Sequence, residues 1–568
     1  MAFQVSPGIN VSEIDLTASV PAVSVSTGAI AGAFKWGPAL ELTQITNETE
    51  LVTRFGAPDN DTANVFFTAA SFLAYSNDLL VVRSANTNST RNAVANANTA
   101  AATASAVLIG NSSEYFNSPE YQGTSTANAA FVARYAGEKG NSLQISICPS
   151  AAAFTGWAYA SLFDSAPGTS TYVSGKNGAN DEMHIAIVDA GGLFTGTPGT
   201  TLERYGYVSK ASDAKNDDGS TNYYKEVLLN RSSYAYWAGH PTATSTTNWG
   251  NAALNTTFGA GASNVTVRFI SGADGTIGTA QLQTAYDVFE DKENVDISLL
   301  IAADGHDKGI AGDLLDLAGA RKDCVAFISP TYADVFETAP ATSIAGTATA
   351  LSTRNSYGVH DSGWKYMYDK YNDKYRWVPL NGDIAGLCAR TDRERDPWFS
   401  PAGFQRGAIR NVVKLAFNPT QTQRDTLYKA GVNPVVSLPG EGTVLFGDKT
   451  LANKPSAFDR INVRRLFIVL EKAISRAARS SLFEFNDEFT RAQFVSLVEP
   501  FLRTVQGRRG IYDFRVVCDE TNNTADIIDR NEFVGDIYIK PARSINFVQL
   551  NFVAVRTGVE FNEIVGRF

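Results

Sequence analysis

The chain runs to 568 residues, 44% hydrophobic and 19% charged, with a net charge of −10; that length predicts three to four domains with real cores. An acidic chain of pI near 5.1 is a poor ligand for nucleic acid, and no apolar run approaches a membrane span. The opening MAFQVSPGIN lacks a basic stretch ahead of an apolar one, so no secretory signal is expected and the product reads as soluble and intracellular.

Residues 8–14, GINVSEI, alternate apolar and polar side chains as a half-buried strand does. Residues 1–20 read as an arm, tied by the spacer DLTASVPAV to a core segment, 21–85, that is expected to join the middle domain. From 85 to 106, ANTNSTRNAVANANTAAATASA is rich in small polar residues without an apolar period, which predicts a linker or variable surface piece. Short alternating runs follow between turn clusters: LQISI (143–147), MHIAIVD (183–189) and EVLLN (226–230). Residues 86–260 therefore predict a β-rich, loop-heavy outer insertion.

From Asn264 the texture changes. VTVRFI, TAQLQTAYDVFED, VDISLLIAA, IAGDLLDLAGA and CVAFISP read β-α-β-α-β, which places a parallel sheet with crossover helices in an α/β middle domain, 261–452. Residues 453–556 predict a compact α+β unit: a long amphipathic helix after Phe458, a second helical stretch RAQFVSLVEPFLRTV, and strands YDFRVVCD, FVGDIYIKP and INFVQLNFVAV. After a break at Arg556, Thr557 and Gly558, residues 557–568 form a second arm. The chain as a whole is α+β and multidomain.

Motifs that would carry chemistry fail on specific residues. GADGTIG (272–278) follows a strand and precedes a helix but is not GxGxxG, and a tight turn explains it. GTVLFGDKT (442–450) nearly imitates a phosphate-binding loop, with Asp448 where the lysine belongs; a carboxylate there repels the ligand. DAKNDDGSTNYYKE (213–226) imitates a calcium loop, but aligning Gly219 to the sixth position leaves Ala214 and Lys225 at the first and twelfth. His184, His240, His306 and His360 form no HExxH, no GxSxG elbow occurs, and Cys148, Cys324, Cys388 and Cys518 are scattered without CxxC. ARTDRERD (389–396), the densest charge cluster, reads as a salt-bridged surface or subunit contact rather than an active site. No enzyme activity, cofactor or metal is expected. The alternative from another class, a carbohydrate-binding or hydrolytic protein, would need an acid pair in a cleft of residues 86–260.

The word GVEFNEI (558–564) repeats the template of GINVSEI: glycine, β-branched, polar, apolar, polar, glutamate, isoleucine. One terminal strand is by default an edge of its own domain. Two on one template point to arms that complete sheets of neighbouring copies by strand addition. Ile9, Val11 and Ile14 at one end, and Val559, Phe561 and Ile564 at the other, are the apolar side chains expected to carry that exchange.

SPGINVSEID followed by GAIAGAFKWGPALELTQITNETELVTRFGAP resembles the start of tail sheath proteins of contractile-tailed bacteriophages, and AGLCARTDRERDPWFSPAGFQRGAI, AGVNPVVSLPGEGTVLFGDKTL and INVRRLFIVLEKAISRAARSSLFEFND continue the likeness. VDAGGLFTGTPGTTLERY is similar to sheaths of the large lytic myovirus type. The resemblance implies a structural protein of the virion, assembled in the host bacterial cytoplasm as stacked hexameric rings around a tail tube. Its partners would be further copies, the tube, and baseplate and tail terminator proteins. The resemblance also implies a middle domain of subtilisin-like fold without protease function, and terminal strands exchanged into the C-terminal domains of neighbours. The sheath of a tailocin or other contractile injection system is the alternative within that family.

One surface follows from combining this with the residues. On a helix over 459–480, Arg465, Lys472, Arg476 and Arg479 fall within a stripe roughly 60° wide, with Val463, Phe467, Leu470, Ile474 and Ala477 to one side. Residues 453–568 carry 17 Lys and Arg against 15 Asp and Glu, whereas the rest of the chain carries 31 against 43. In a domain that the resemblance places inside the sheath, the stripe is expected to look outward and form shallow ion pairs with an acidic tube.

Overall fold

The computed structural model describes residues 25–96, 107–124 and 129–546. The middle domain is built on a seven-stranded sheet in the order Val432–Asn433, Gly358–Asp361, Val325–Ile328, Leu299–Ile301, Gly28–Gly32, Leu79–Arg83, Thr43–Ile45. Every neighbouring pair is parallel except the last, where Thr43–Ile45 runs antiparallel to Leu79–Arg83. Strands covered on both faces need unbroken runs of apolar or small residues, and GAIAG, LLI and VAFI are such runs, buried at each position. Helices Ala63–Leu73 and Asn381–Glu394 cover one face, and Thr279–Asp287 and Ala311–Arg321 cover the other. The result is a three-layer α/β/α unit.

The two helices Thr279–Asp287 and Ala311–Arg321 alternate with Leu299–Ile301 and Val325–Ile328 as the sequence predicts. The first strand of that series differs. Val265–Ile270 belongs to the outer sheet, antiparallel to Asn92–Asn96 and Leu143–Cys148. Its alternation shows why: Val265 and Phe269 are buried while Thr266 and Arg268 face solvent, a pattern for one covered face rather than two. Gly28–Gly32 takes its place at the centre of the parallel sheet.

The outer sheet is antiparallel, in the order Thr200–Ser209, Glu182–Asp189, Leu143–Cys148, Val265–Ile270, Asn92–Asn96, Ala129–Ala136, Ala235–Trp237. Two expectations are corrected here. Asn92–Asn96 lies within the stretch that reads as a linker, yet it is a fully buried strand. Ala93 within it must be small because Gly140 and Gly272 press on it, and a Cβ on either glycine would sit 2.9 Å from that of Ala93. EVLLN is helical, within Tyr224–Arg231, and buries Tyr224, Val227 and Leu228 at helical spacing.

Polar side chains tie the outer sheet to the middle domain. The buried Arg83 guanidinium donates to the carbonyls of Phe34, Gly37 and, across the boundary, Ala136 at 2.7 Å. Lys35 bridges Asp59 and Asp274, at 2.5 and 2.7 Å. The turn GADGTIG therefore serves as the crossing between domains. Gly275 within it has φ +72°, and a Cβ there would lie 2.7 Å from the hydroxyls of Ser89 and Thr90.

The C-terminal domain packs helices Ile461–Ala478 and Glu488–Gly507 around Leu466, Leu470, Phe494, Val498 and Leu502, with a hairpin of Ile511–Val517 and Asp536–Pro541. Of the expected strand INFVQLNFVAV, residues from 547 onward lie outside the described residues.

Helix Asn381–Glu394 crosses Ala63–Leu73 at close range. A Cβ on Gly382 would lie 2.4 Å from the Thr68 carbonyl oxygen, a backbone atom that cannot turn aside. Gly382→Ala is expected to cost about 1–3 kcal/mol. Gly346→Ala, on Pro340–Ala350 with open space around the position, is expected to stabilise by up to about 1 kcal/mol. Denaturant unfolding of both variants checks the contrast.

Candidate functional site

The long helix Ile461–Ala478 is buried on two sides, and this decides what its charges do. Its apolar side, through Leu466, Val469 and Leu470, closes the C-terminal core. Its basic side lies on the middle domain. Arg465 meets Asp392 at 2.5 Å, with side chains 4% and 7% exposed, and also donates to the carbonyls of Cys388 and Val25. Two turns on, Lys472 donates to Asp296 at 2.8 Å, to the Ile297 carbonyl at 2.7 Å and to Ser298 at 2.9 Å. Arg476 reaches the other oxygen of Asp296 at 3.1 Å. Beside them Arg464 bonds Ser356 at 2.6 Å and lies over the rings of Tyr357 and Phe458. Burial pushes the Asp296 carboxyl up, but its bonds to Lys472 and Arg476 outweigh burial and hold it below the ordinary carboxylate value.

Asp448 makes a second tie. The carboxylate that spoils the phosphate loop is 4% exposed and accepts from Ser400 at 3.0 Å, Arg460 at 3.1 Å, Ser544 at 2.7 Å and Asn546 at 3.1 Å. Three segments distant in sequence meet on it. A third tie joins Asp396 to Arg508 at 2.8 Å, beside the Trp398 indole N–H, which donates to the Arg508 carbonyl.

This geometry corrects the outward-facing stripe. Arg465 and Lys472 are spent inside the chain; Arg476 is half-exposed on Asp296, and Arg479 faces solvent. A helical wheel shows one buried face, whereas this helix lies between two cores. The cluster ARTDRERD is likewise more than a surface: Asp392 and Asp396, four residues apart, both turn toward the C-terminal domain, while Arg393, Glu394 and Arg395 face solvent. That spacing was the available signal for the joint. Ile9, Val11, Ile14, Val559, Phe561 and Ile564 lie outside the described residues. His306 and His360 come together with ring centroids 5.7 Å apart, each bonded to a backbone carbonyl. Among the described residues no group of three or more His, Cys, Asp or Glu is placed to hold a metal ion.

Three family profiles match in chain order: the N-terminal region of tail sheath protein Gp18 domain III over residues 26–83, the phage tail sheath protein central domain over 275–451, and the phage tail sheath C-terminal domain over 453–554. The tail sheath protein of Vibrio phage KVP40 is 36% identical across 99% of both chains, and that of Enterobacteria phage T4 is 34% identical across 99% of both. The chain belongs to the phage tail sheath family. The sheath tail protein of Desulfitobacterium hafniense shares the fold with a TM-score of 0.53, covering 94% of this chain and 100% of that one at 12% identity. The contracted helical sheath of the anti-feeding prophage does so at 0.51, covering 97% and 99% at 13% identity. In this tail sheath protein the outer sheet falls between the first two matched regions, and the ionic joint lies where the central and C-terminal regions meet.

Arg465→Met leaves Asp392 buried without its cation and is expected to cost about 3–5 kcal/mol in denaturant unfolding, most of it recovered by adding Asp392→Leu. Asp296 has a second signature. Its depressed pKa contributes stability that is complete above the ordinary carboxylate range and lost as pH falls through and below it. Asp296→Asn should therefore remove part of the acid sensitivity of the unfolding midpoint between about pH 5 and pH 2.

Proposed function

We propose that this chain is the structural subunit of a contractile phage tail sheath. It polymerises as stacked hexameric rings around the tail tube, and contraction of the assembly drives the tube through the host envelope. The observation that carries this reading is end-to-end identity of 36% and 34% to two phage tail sheath proteins, over 99% of each chain. A partial match would suit a shared domain on a different machine; an end-to-end match supports the same architecture and the same work. The partners are further copies, the tube, the baseplate and the terminator. The site of action is the virion, after assembly in the bacterial cytoplasm.

Energy stored at assembly and released on contraction needs no nucleotide, and suits a middle domain, of the subtilisin-like kind implied by the resemblance, that acts as an inert body. Such a polymer needs connectors that survive a change of packing. GINVSEI and GVEFNEI are the arms we assign to that task. The acceptor we favour is the hairpin Ile511–Val517 with Asp536–Pro541, which among the described residues has no further strand on either outer edge. For the tube contact, the exposed Arg476 and Arg479 are the members of the basic stripe still able to reach a partner.

Electron microscopy of the purified full chain tests the reading: tubes support it, and monomers at every concentration overturn it. Deleting residues 558–568 is expected to leave a folded monomer that forms no tubes, because the lost strand belongs to a neighbour's sheet. A deletion that unfolds the monomer, seen by circular dichroism, would place that strand in its own domain and refute exchange.

A further inference from the structure

Between the two C-terminal helices, residues 480–489, SSLFEFNDEF, turn large apolar side chains into solvent. Leu482 is 62% exposed, Phe485 85%, Phe489 75% and Phe483 fully so. Phe483 also has φ +70°, a left-handed conformation that a bulky residue adopts at a cost. The segment holds three carboxylates, Glu484, Asp487 and Glu488, and no cation. Among the described residues nothing in the fold calls for three outward phenylalanines side by side; such a patch marks a contact.

A receptacle of the opposite character lies on the same chain. A cleft of about 950 Å³ opens between the middle and C-terminal domains, walled by Trp398, Tyr428, Phe446 and Ile511. Phe446 is 43% exposed and pairs with Phe404, 51% exposed, at 5.9 Å. Arg406, Arg424, Arg509 and Arg543 line the same cleft, the first two lying over the rings of Phe399 and Phe446. Among the described residues none of the four has a carboxylate within salt-bridge distance. Asp425 also lines the cleft, and Asp448 there is taken up by Arg460, Ser400, Ser544 and Asn546.

We propose that the 482–489 tip of one copy seats in this cleft of the next, its phenylalanines against Trp398, Tyr428 and Phe446 and its carboxylates against the four arginines. The proposal rests on the sheath reading in taking a second copy as the partner. A chain does not fill its own cleft this way: the 20-residue helix Glu488–Gly507 holds the tip roughly 30 Å from Gln506 and Arg509 at the cleft. Tip and cleft are different surfaces, so the contact is head-to-tail and propagates into rings or helical stacks instead of closing as a dimer. Each phenylalanine buries about 150–250 Å², and three together fall short of the roughly 800 Å² per partner of a stable pair. The contact is therefore weak between free chains and effective in a polymer.

The test uses the full chain and its tubes formed without tail tube. Phe483→Asp with Phe485→Asp changes only exposed side chains, so circular dichroism and Tm should match wild type while the concentration needed for tubes rises at least tenfold. Arg424→Glu with Arg509→Glu should do the same, and adding Glu484→Arg with Glu488→Arg to that pair should restore assembly. Phe485→Cys combined with Arg424→Cys should yield, on oxidation of tubes, a ladder of disulfide-linked oligomers that neither single variant gives. Normal tubes from the double aspartate variant, or wild-type-like tubes of the cysteine pair with no ladder, overturn the proposal. If that aspartate variant fails only to coat tail tubes, the tip faces the tube and the proposal is wrong. Absence of wild-type tubes overturns the sheath reading and this contact with it.

Discussion

The meeting of Arg465 with Asp392, out of water on both sides, is the constraint around which the middle and C-terminal domains of this chain are set. A guanidinium and a carboxylate that are 4% and 7% exposed hold each other only while the helix stays in one axial position and one rotation. An apolar joint of the same area would tolerate a slip of a turn; this one leaves a buried charge unpaired if it slips. Lys472 and Arg476 repeat the condition further along the same face, on Asp296. Such pairs add little net stability over packed hydrocarbon, so their contribution here is read as register.

Individual elements are legible in the sequence where texture marks them. Unbroken apolar runs marked the doubly covered strands, helical spacing marked the crossover helices, and Gly, Ser, Thr and Asn marked the outer insertion. What escaped was long-range. Segment 21–85 is expected in the middle domain, but nothing local tells Gly28–Gly32 that its partners are Leu299–Ile301 and Leu79–Arg83, so its central place in the sheet is not legible. Val265–Ile270 shows the reverse error: its order along the chain suggested the parallel sheet, while its own alternation of Val265, Thr266, Val267 and Arg268 already described an antiparallel one.

The ionic joint was half visible for a related reason. A helical wheel shows which residues share a face but not how many faces are covered. Lys472 with three acceptors and Arg465 with three look identical, in sequence, to lysine and arginine on a solvated surface. Their carboxylate partners lie 73 and 176 residues away. Asp448 is the complementary case: the residue that rules out a phosphate loop is also the one that gathers Ser400, Arg460, Ser544 and Asn546. The negative inference was available in the sequence; the positive use of that carboxylate was not.

Placing charge inside a copy and apolar knobs outside it has a consequence for a polymer that must rearrange. A buried ion pair screened from salt resists shear between the domains of one subunit, since moving either partner strands a charge. In the contact proposed above, an exposed tip such as Phe483, Phe485 and Phe489, ringed by carboxylates that water and salt reach, leaves its seat without stranding a buried charge. Within the subunit the buried pairs fix one geometry, and between subunits the proposed contact permits two.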